Sequence, residues 1–212
     1  SARSTRHIEV ALPKGMTYRT GDHLCIVPQN AAELIARVEQ RFGLASDTQI
    51  KLSSTSDQSP LPTDTPVSVR HLLSELLELQ AVASRKQVET LVRYTECPHS
   101  KPALEALAGA DYREKVFQKK VSVLDLLEKY QACELPFGVF LEMAPMLSQR
   151  YYSISSSSTS SPEAISATVG VVDEAAISGN GQFRGVCSNY LAAQGDGAEV
   201  FASIRPTKAG FR

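Results

Sequence analysis

RYYSISSSSTSSP, residues 150–162, is the stretch on which the reading of this chain turns. More than half of it is serine or threonine, the composition of a flexible connector. Yet it opens with an arginine and two adjacent tyrosines, which a connector does not need. In a strand, alternate side chains share a face. Arg150 and Tyr152 are therefore predicted to point one way, and Tyr151 and Ser153 the other. Such a strand end suits a flat, phosphorylated ligand. A tyrosine ring can stack on it, and an arginine fork can hold a phosphate through two parallel hydrogen bonds. A serine hydroxyl can donate or accept at the ring edge. On this reading RYYSIS is a binding strand and SSSTSSP is the turn that leaves it. The same residues also suit a plainer arrangement, with packed tyrosines, a surface-paired arginine and a serine loop. Chemistry alone leaves both open.

Outward from that strand, GVCSNYLAAQ at 185–194 reads as a glycine turn entering a helix, with Ser188 or Asn189 near the cap. Free backbone N–H groups and the helix dipole make such a start a seat for a pyrophosphate. Many helices begin with Gly and Ser, so this signal is weak by itself. An aromatic platform, an arginine and a helix start together suit a dinucleotide.

The rest of the chain falls into three parts. TRHIEVAL (5–12) and HLCIVP (23–28) read as strands, with Gly15 and Gly21 turning the chain between them. A helical stretch follows. Asn30 and Glu33 form a candidate capping box before LIARVEQRFG, which Gly43 stops. TQIKL at 48–52 reads as a short strand, and 56–66 as a loop. From Val67 to Leu147 the pattern is helical. VSVRHLLSELLELQ carries a leucine stripe, Ser84 with Gln87 and Ser122 with Asp125 are further capping boxes, and PFGVFLEMAPML is apolar at helical spacing. These stripes are faces for packing. After Gln149, RYYSIS, AISATVGVV and AEVFASI read as strands, with a short helix at SNYLAAQ. Neither β part can bury a core alone. The predicted fold is mainly β with an α insertion: one antiparallel barrel from residues 1–30 and 148–212, and a helical domain from 31–147 set between its strands.

Composition bounds the function. The chain has 212 residues, 42% hydrophobic and 21% charged, with 22 basic and 23 acidic residues and a net charge of −1. That balance gives no bulk signature of a nucleic-acid or membrane-surface binder. Lys115, Lys119 and Lys120 are interleaved with apolar residues and read as a solvated helix face. No apolar run reaches the ~20 residues of a membrane span, and SARSTRHIEV has no apolar core of a secretory signal. Cys25, Cys97, Cys133 and Cys187 lack zinc spacing, and the histidines are scattered, so no metal site is expected. Reduced cysteines and a cytoplasmic location follow.

RYYSIS resembles the Arg-x-Tyr-Ser flavin signature of the ferredoxin–NADP reductase superfamily, and the paired tyrosines are similar to those of the diflavin reductases. GDHLCIVPQN (21–30), ATVGVV (167–172) and GVCSNYL (185–191) agree in order and spacing, so the resemblance covers essentially the whole chain. SARSTRHIEV, LLEKYQACE and RYYSISSS look most like the reductase part of bacterial self-sufficient cytochrome P450 fusions.

The resemblance implies a flavin-binding β-barrel and a helical connecting domain. It implies that Arg150 binds the FAD pyrophosphate, Tyr152 stacks on the isoalloxazine ring, Tyr151 helps hold the ribityl chain, and Ser153 hydrogen-bonds near flavin N5. Thr168, Val169 and Gly170 match the strand lining the ring edge. Gly185, Val186, Cys187 and Ser188 match the pyrophosphate loop, with Cys187 where relatives often carry alanine. Lys120 stands where a basic residue lies near the adenine; Asp22 and His23 read as barrel structure. The family's nicotinamide loop, its FMN domain and the C-terminal aromatic over the flavin have no counterpart here, so the chain reads as an FAD-binding piece of a larger enzyme. That enzyme would pass electrons from NADPH through FAD and FMN to a P450 haem. The implied partners are its own FMN-binding and NADP-binding domains and the haem domain, and the piece alone is expected to be inactive with NADPH. A sulfite reductase or nitric oxide synthase type of reductase, and a non-catalytic docking module, are the alternatives.

Overall fold

The computed structural model describes residues 4–53 and 60–207. The chain divides into two compact units, one of residues 1–29, 148–174 and 183–212, the other of 30–147 and 175–182.

In the first unit, β1 (Ser4–Ala11) and β6 (Ala164–Val171) pair antiparallel over their full length, from Ser4 against Val171 to Ala11 against Ala164. β2 (His23–Ile26) is the centre of a second sheet, with β5 (Arg150–Ser153) on one side and β9 (Ala202–Arg205) on the other. A single bridge, Ile154 to Ala167, joins the two sheets. The expected closed barrel is therefore not present as a continuous hydrogen-bonded cylinder: no pairing links β1 to β9 among the described residues. One reason is that AEVFASI yields only a short strand. Gly197, at φ +80, turns the chain just before it, and residues 198–201 stay irregular.

The core of this unit is Leu24, Ile26, Ile154, Ile165, Val169 and Leu191, with Tyr152 and Ile204 packed at its margin. The serine run is a fixed turn. The buried Tyr18 hydroxyl lies 2.8 Å from Ser156 Oγ and 3.0 Å from the Ser161 carbonyl. Ser166 N–H donates to Ser156 Oγ at 3.0 Å, and Ser155 N–H donates to the Ser166 carbonyl at 2.8 Å. Serine hydroxyls here satisfy turn backbone, the competition that disfavours them in helices and suits them to loops.

The second unit is helical. α1 (Ala32–Phe42) ends at Gly43, in the left-handed region at φ +63, where glycine carries no Cβ penalty. Its expected capping box is absent. Asn30 is buried, and its side-chain amide donates to the Leu73 and Leu77 carbonyls, both at 2.7 Å. Those carbonyls belong to the region where the leucine stripe changes form. After the two-residue β4 (Val67–Ser68, paired with β3, Gln49–Ile50) come one turn of α2 (Val69–His71) and a wider π-helical segment, Leu72–Leu76. A π segment frees carbonyls from the usual ladder, and Asn30 satisfies two nearby ones instead of capping α1.

α3 (Arg85–Arg93) and α5 (Val123–Lys129) do begin with the expected boxes: Ser84 with Gln87, and Ser122 with Asp125, each bonding the other's backbone N–H. α4 (Ser100–Ala108), a second π segment (Tyr112–Phe117) and α6 (Phe137–Met143) complete the set. The leucines meet in one core that includes Leu72, Leu91, Leu104, Leu124 and Leu127. Of the loop expected at 56–66, residues 56–59 lie outside the described residues. A hairpin, β7 (Asp173–Ala175) with β8 (Gln182–Arg184), was not anticipated, although SGNG at 178–181 is a turn signal. Its tip groups with the helical unit, where Asn180 donates to Asp125 at 2.9 Å and Glu128 at 3.1 Å, carboxylates that also bind Arg37. No described helix is long and apolar enough to cross a membrane.

Candidate flavin site

β5 carries the first group of candidate residues, and the pleat sorts them. Arg150 and Tyr152 are half-buried, while Tyr151 and Ser153 face outward. Tyr152 sits opposite Leu24, and Tyr151 opposite Cys25. The Arg150 guanidinium donates to the Ser148 carbonyl at 2.6 Å and to Ser148 Oγ at 2.7 Å. It is thereby held beside its own strand.

Cys187 lies in α7 (Val186–Ala192), and it is 3% exposed. Tyr152 packs against the core cluster to which Cys187 belongs. Burial first, and then interaction with Cys187, push the phenol well above its usual range. Burial also raises the thiol, against the opposing pull of Tyr152 and Arg150. Both groups are neutral at ordinary pH. Cys187 is thus a packed thiol, with no sign of an activated nucleophile.

The start of α7 is fastened to the end of β6. Ser188 Oγ accepts the Val172 N–H at 3.2 Å, and its hydroxyl reaches the Gly185 carbonyl at 3.2 Å. Asn189 donates to the Val172 and Gly185 carbonyls at 2.7 and 2.9 Å. Neither side chain caps the helix; both brace the turn that enters it. Gly185 is needed for closeness: a Cβ there would fall 2.8 Å from Ser188 Oγ and 3.1 Å from Val172 Cβ. Only glycine keeps this backbone bare.

In β6, Val169 is 1% exposed and belongs to the core, while Thr168 and Gly170 face out. One edge of β6 is paired with β1. Beyond the Ala167 bridge, its other edge pairs with no strand among the described residues. That edge can offer backbone donors and acceptors to a ring.

The structure thus packs Tyr152 against the cluster that holds Cys187, with Arg150 on the same face of β5. Tyr151 stands apart on the outer face, 49% exposed, with the Arg205 guanidinium 5.4 Å from its ring centre and donating to its hydroxyl at 3.1 Å. Arg205 is a neighbour that sequence reasoning missed, since nothing in FASIRP marks it. Asp22 is buried and structural, accepting the Arg19 N–H at 2.9 Å and the Thr207 N–H at 3.1 Å. Lys120 lies in the helical unit with a left-handed backbone, φ +52, which is strained for a residue with a Cβ. Among the described residues no cluster of His, Cys, Asp or Glu could hold a metal ion.

A family model described as "FAD binding domain" matches residues 1–190. The chain belongs to the FAD-binding domain family. The chain is 48% identical to a bifunctional cytochrome P450/NADPH–P450 reductase of Bacillus subtilis, 47% identical to one of Bacillus cereus and 37% identical to a third of Fusarium oxysporum. Each match covers the whole of this chain and 20% of the relative. The chain therefore spans about a fifth of the length of these curated relatives. The cofactor of the family fits the residues present: a bare glycine turn against a braced helix start, a guanidinium at the strand and a half-buried aromatic ring.

Proposed function

We propose that this chain is the FAD-binding part of an NADPH-dependent diflavin reductase that delivers electrons through FAD and FMN to a cytochrome P450 haem. The observation that carries the reading is Arg150 and Tyr152 on one half-buried face of β5, Tyr152 packed against the cluster that holds Cys187, in a chain similar to P450/NADPH–P450 reductases. When bound, FAD supplies a ring that accepts a hydride and releases electrons singly. The protein's own residues bind and orient it.

Arg150 holds the pyrophosphate by charge-assisted hydrogen bonds, at the cost of its bonds to Ser148. Gly185, Val186, Cys187 and Ser188 give that group a close backbone approach. Tyr152 offers its ring face, Tyr151 supports the ribityl chain from the outer side, and Ser153 donates near N5. Thr168, Val169 and Gly170 meet the ring edge with backbone groups.

The two sheets of the strand unit are proposed to act as the flavin barrel. Residues 31–147 are its inserted connecting domain, and the FMN, NADP and haem domains of one parent chain are its partners. Four free cysteines support a reducing, cytoplasmic setting. The test is a titration of the purified protein with FAD and, separately, with FMN, followed by flavin fluorescence. Tight FAD binding with quenching, weak FMN binding and no NADPH oxidation by the chain alone are expected. Preference for FMN, or binding of neither, would contradict the reading.

A further inference from the structure

We propose that Arg205 is a positioning residue for the flavin site: it holds Tyr151 across the outward face of its sheet so that the Tyr151 hydroxyl donates its own proton to the ribityl chain. The inference rests on the FAD reading. β5 and β9 flank β2 on either side. Tyr151 stands opposite Cys25, and Cys25 opposite Ser203; Ser153 stands opposite His23, and His23 opposite Arg205. Directly paired residues share a face, as do alternate residues of one strand. Tyr151, Ser153 and Arg205 therefore lie on the outward face, and Tyr152, Leu24 and Ile204 on the core face. To reach Tyr151, the Arg205 side chain crosses β2 diagonally, over two strand spacings of about 5 Å each. Cys25 stands on that outward face between the two outer strands. It is 1% exposed and belongs to neither hydrophobic core, so the face is covered there.

The contact has two points. The guanidinium carbon lies 5.4 Å from the centre of the Tyr151 ring, and Nη1 donates to the hydroxyl oxygen at 3.1 Å. The first attracts the cation to the ring, and the second sets a direction. Together they hold a tyrosine that is half exposed and would otherwise turn freely. The donor set decides what the hydroxyl can then do. A guanidinium has five N–H donors and no acceptor, whereas a tyrosine hydroxyl both accepts and donates. Arg205 fills an acceptor site and leaves the tyrosine's proton for another group; no described residue takes it. A cation at the oxygen also polarises the O–H bond and makes it a better donor. An acceptor oxygen of the ligand thus meets a donor that is already oriented, which lowers the cost of ordering on binding. Ser153, two residues along the same face, is the group assigned to flavin N5, so the two outward side chains of RYYS serve neighbouring parts of one ligand.

The test is a double-mutant cycle of Tyr151→Phe and Arg205→Ala in the whole chain, read by FAD affinity. Each single change is expected to weaken FAD about three- to ten-fold, the scale of one modest hydrogen bond. The double variant should bind FAD as Tyr151→Phe does, because Arg205 acts through the hydroxyl that phenylalanine lacks. A spectroscopic readout accompanies the cycle: the carbon-13 shift of the Tyr151 ring carbon that bears the hydroxyl, identified by its loss in Tyr151→Phe. It should move in Arg205→Ala before any FAD is added, and in the wild type it should move again when FAD binds. If Arg205→Ala does not fold, Arg205→Lys takes its place, since lysine keeps the charge without the planar fork. Additive losses, unchanged FAD affinity in the Arg205 variant, or a Tyr151 signal unmoved by that variant or by bound FAD would overturn the proposal. A protein whose Tyr151 signal moves in the Arg205 variant but which binds no FAD would instead overturn the flavin reading beneath it.

Discussion

Leu124, Leu126 and Leu127 in the helical unit are at most 2% exposed, whereas Tyr151 and Phe201 in the strand unit are 49% and 74% exposed. The contrast extends to polar groups. Ser84, Gln87, Ser122 and Asp125 close helix ends in pairs. Arg150, Tyr152 and Ser153 are held at a strand whose sequence is poor for packing. A unit that only folds can place leucine wherever a face needs filling. On the proposed reading, the strand unit keeps aromatic and cationic groups at its margin for a ligand, with a smaller core.

The contrast can be broken or sharpened by substitution. The largest effect is expected in the helical core. Leu127→Ala, at a side chain with no exposure, should cost about 2–5 kcal/mol of unfolding free energy, since deletion of buried methyls also leaves a cavity. Chemical denaturation measures this; a loss below 1 kcal/mol, far under the range for such cavities, would deny the core its role.

Arg150→Ala should act the other way, leaving denaturation nearly unchanged while weakening FAD by about 1.5–3 kcal/mol, the scale of a hydrogen bond to a charged group. Unchanged FAD affinity would remove Arg150 from the site. Gly185→Ala should fall between these patterns. Its methyl must displace Ser188 Oγ from the Val172 N–H and the Gly185 carbonyl, so both stability and FAD affinity should drop, by about 1–3 kcal/mol in stability. Equal melting curves for variant and wild type would show that the turn has room to spare.

Ser84→Ala removes one member of a capping box and should cost about 1 kcal/mol, with FAD affinity untouched. The smallest effect is on acid stability. Asp125 is pulled below its ordinary value of 3.8 because hydrogen bonds from Ser122, Asn180 and Arg37 outweigh its burial. A depressed folded-state pKa gives stability that is present above the unfolded value and lost as pH falls through the folded one. Asp125→Asn should therefore flatten the stability profile below about pH 4 while leaving its shape near neutrality alone. An unchanged acid limb would mean that another group governs it.

Much of this arrangement was legible in sequence where a local rule decides structure. Gly43 ends α1 because a left-handed position follows the helix, and the two serine boxes start helices because both partners lie three residues apart. The facing of RYYS followed from strand period alone. What sequence did not reveal depends on distant partners. Asn30 abandoned its cap because Leu73 and Leu77, over forty positions away, present carbonyls to it. The serine run reads as a turn from its composition, but nothing in the sequence marks Tyr18 as the group that pins it. The stacked Arg205 on Tyr151 and the packing of Tyr152 against the cluster that holds Cys187 have no sequence signal, since strand pairing and the return of α7 create them.

The most direct test of the central claim is amide hydrogen exchange of the protein with and without saturating FAD. The expected result is slowed exchange at three segments of the strand unit: 150–153, 168–170 and 185–188. A protein that binds FAD while all three segments exchange at unchanged rates would contradict the placement of the site.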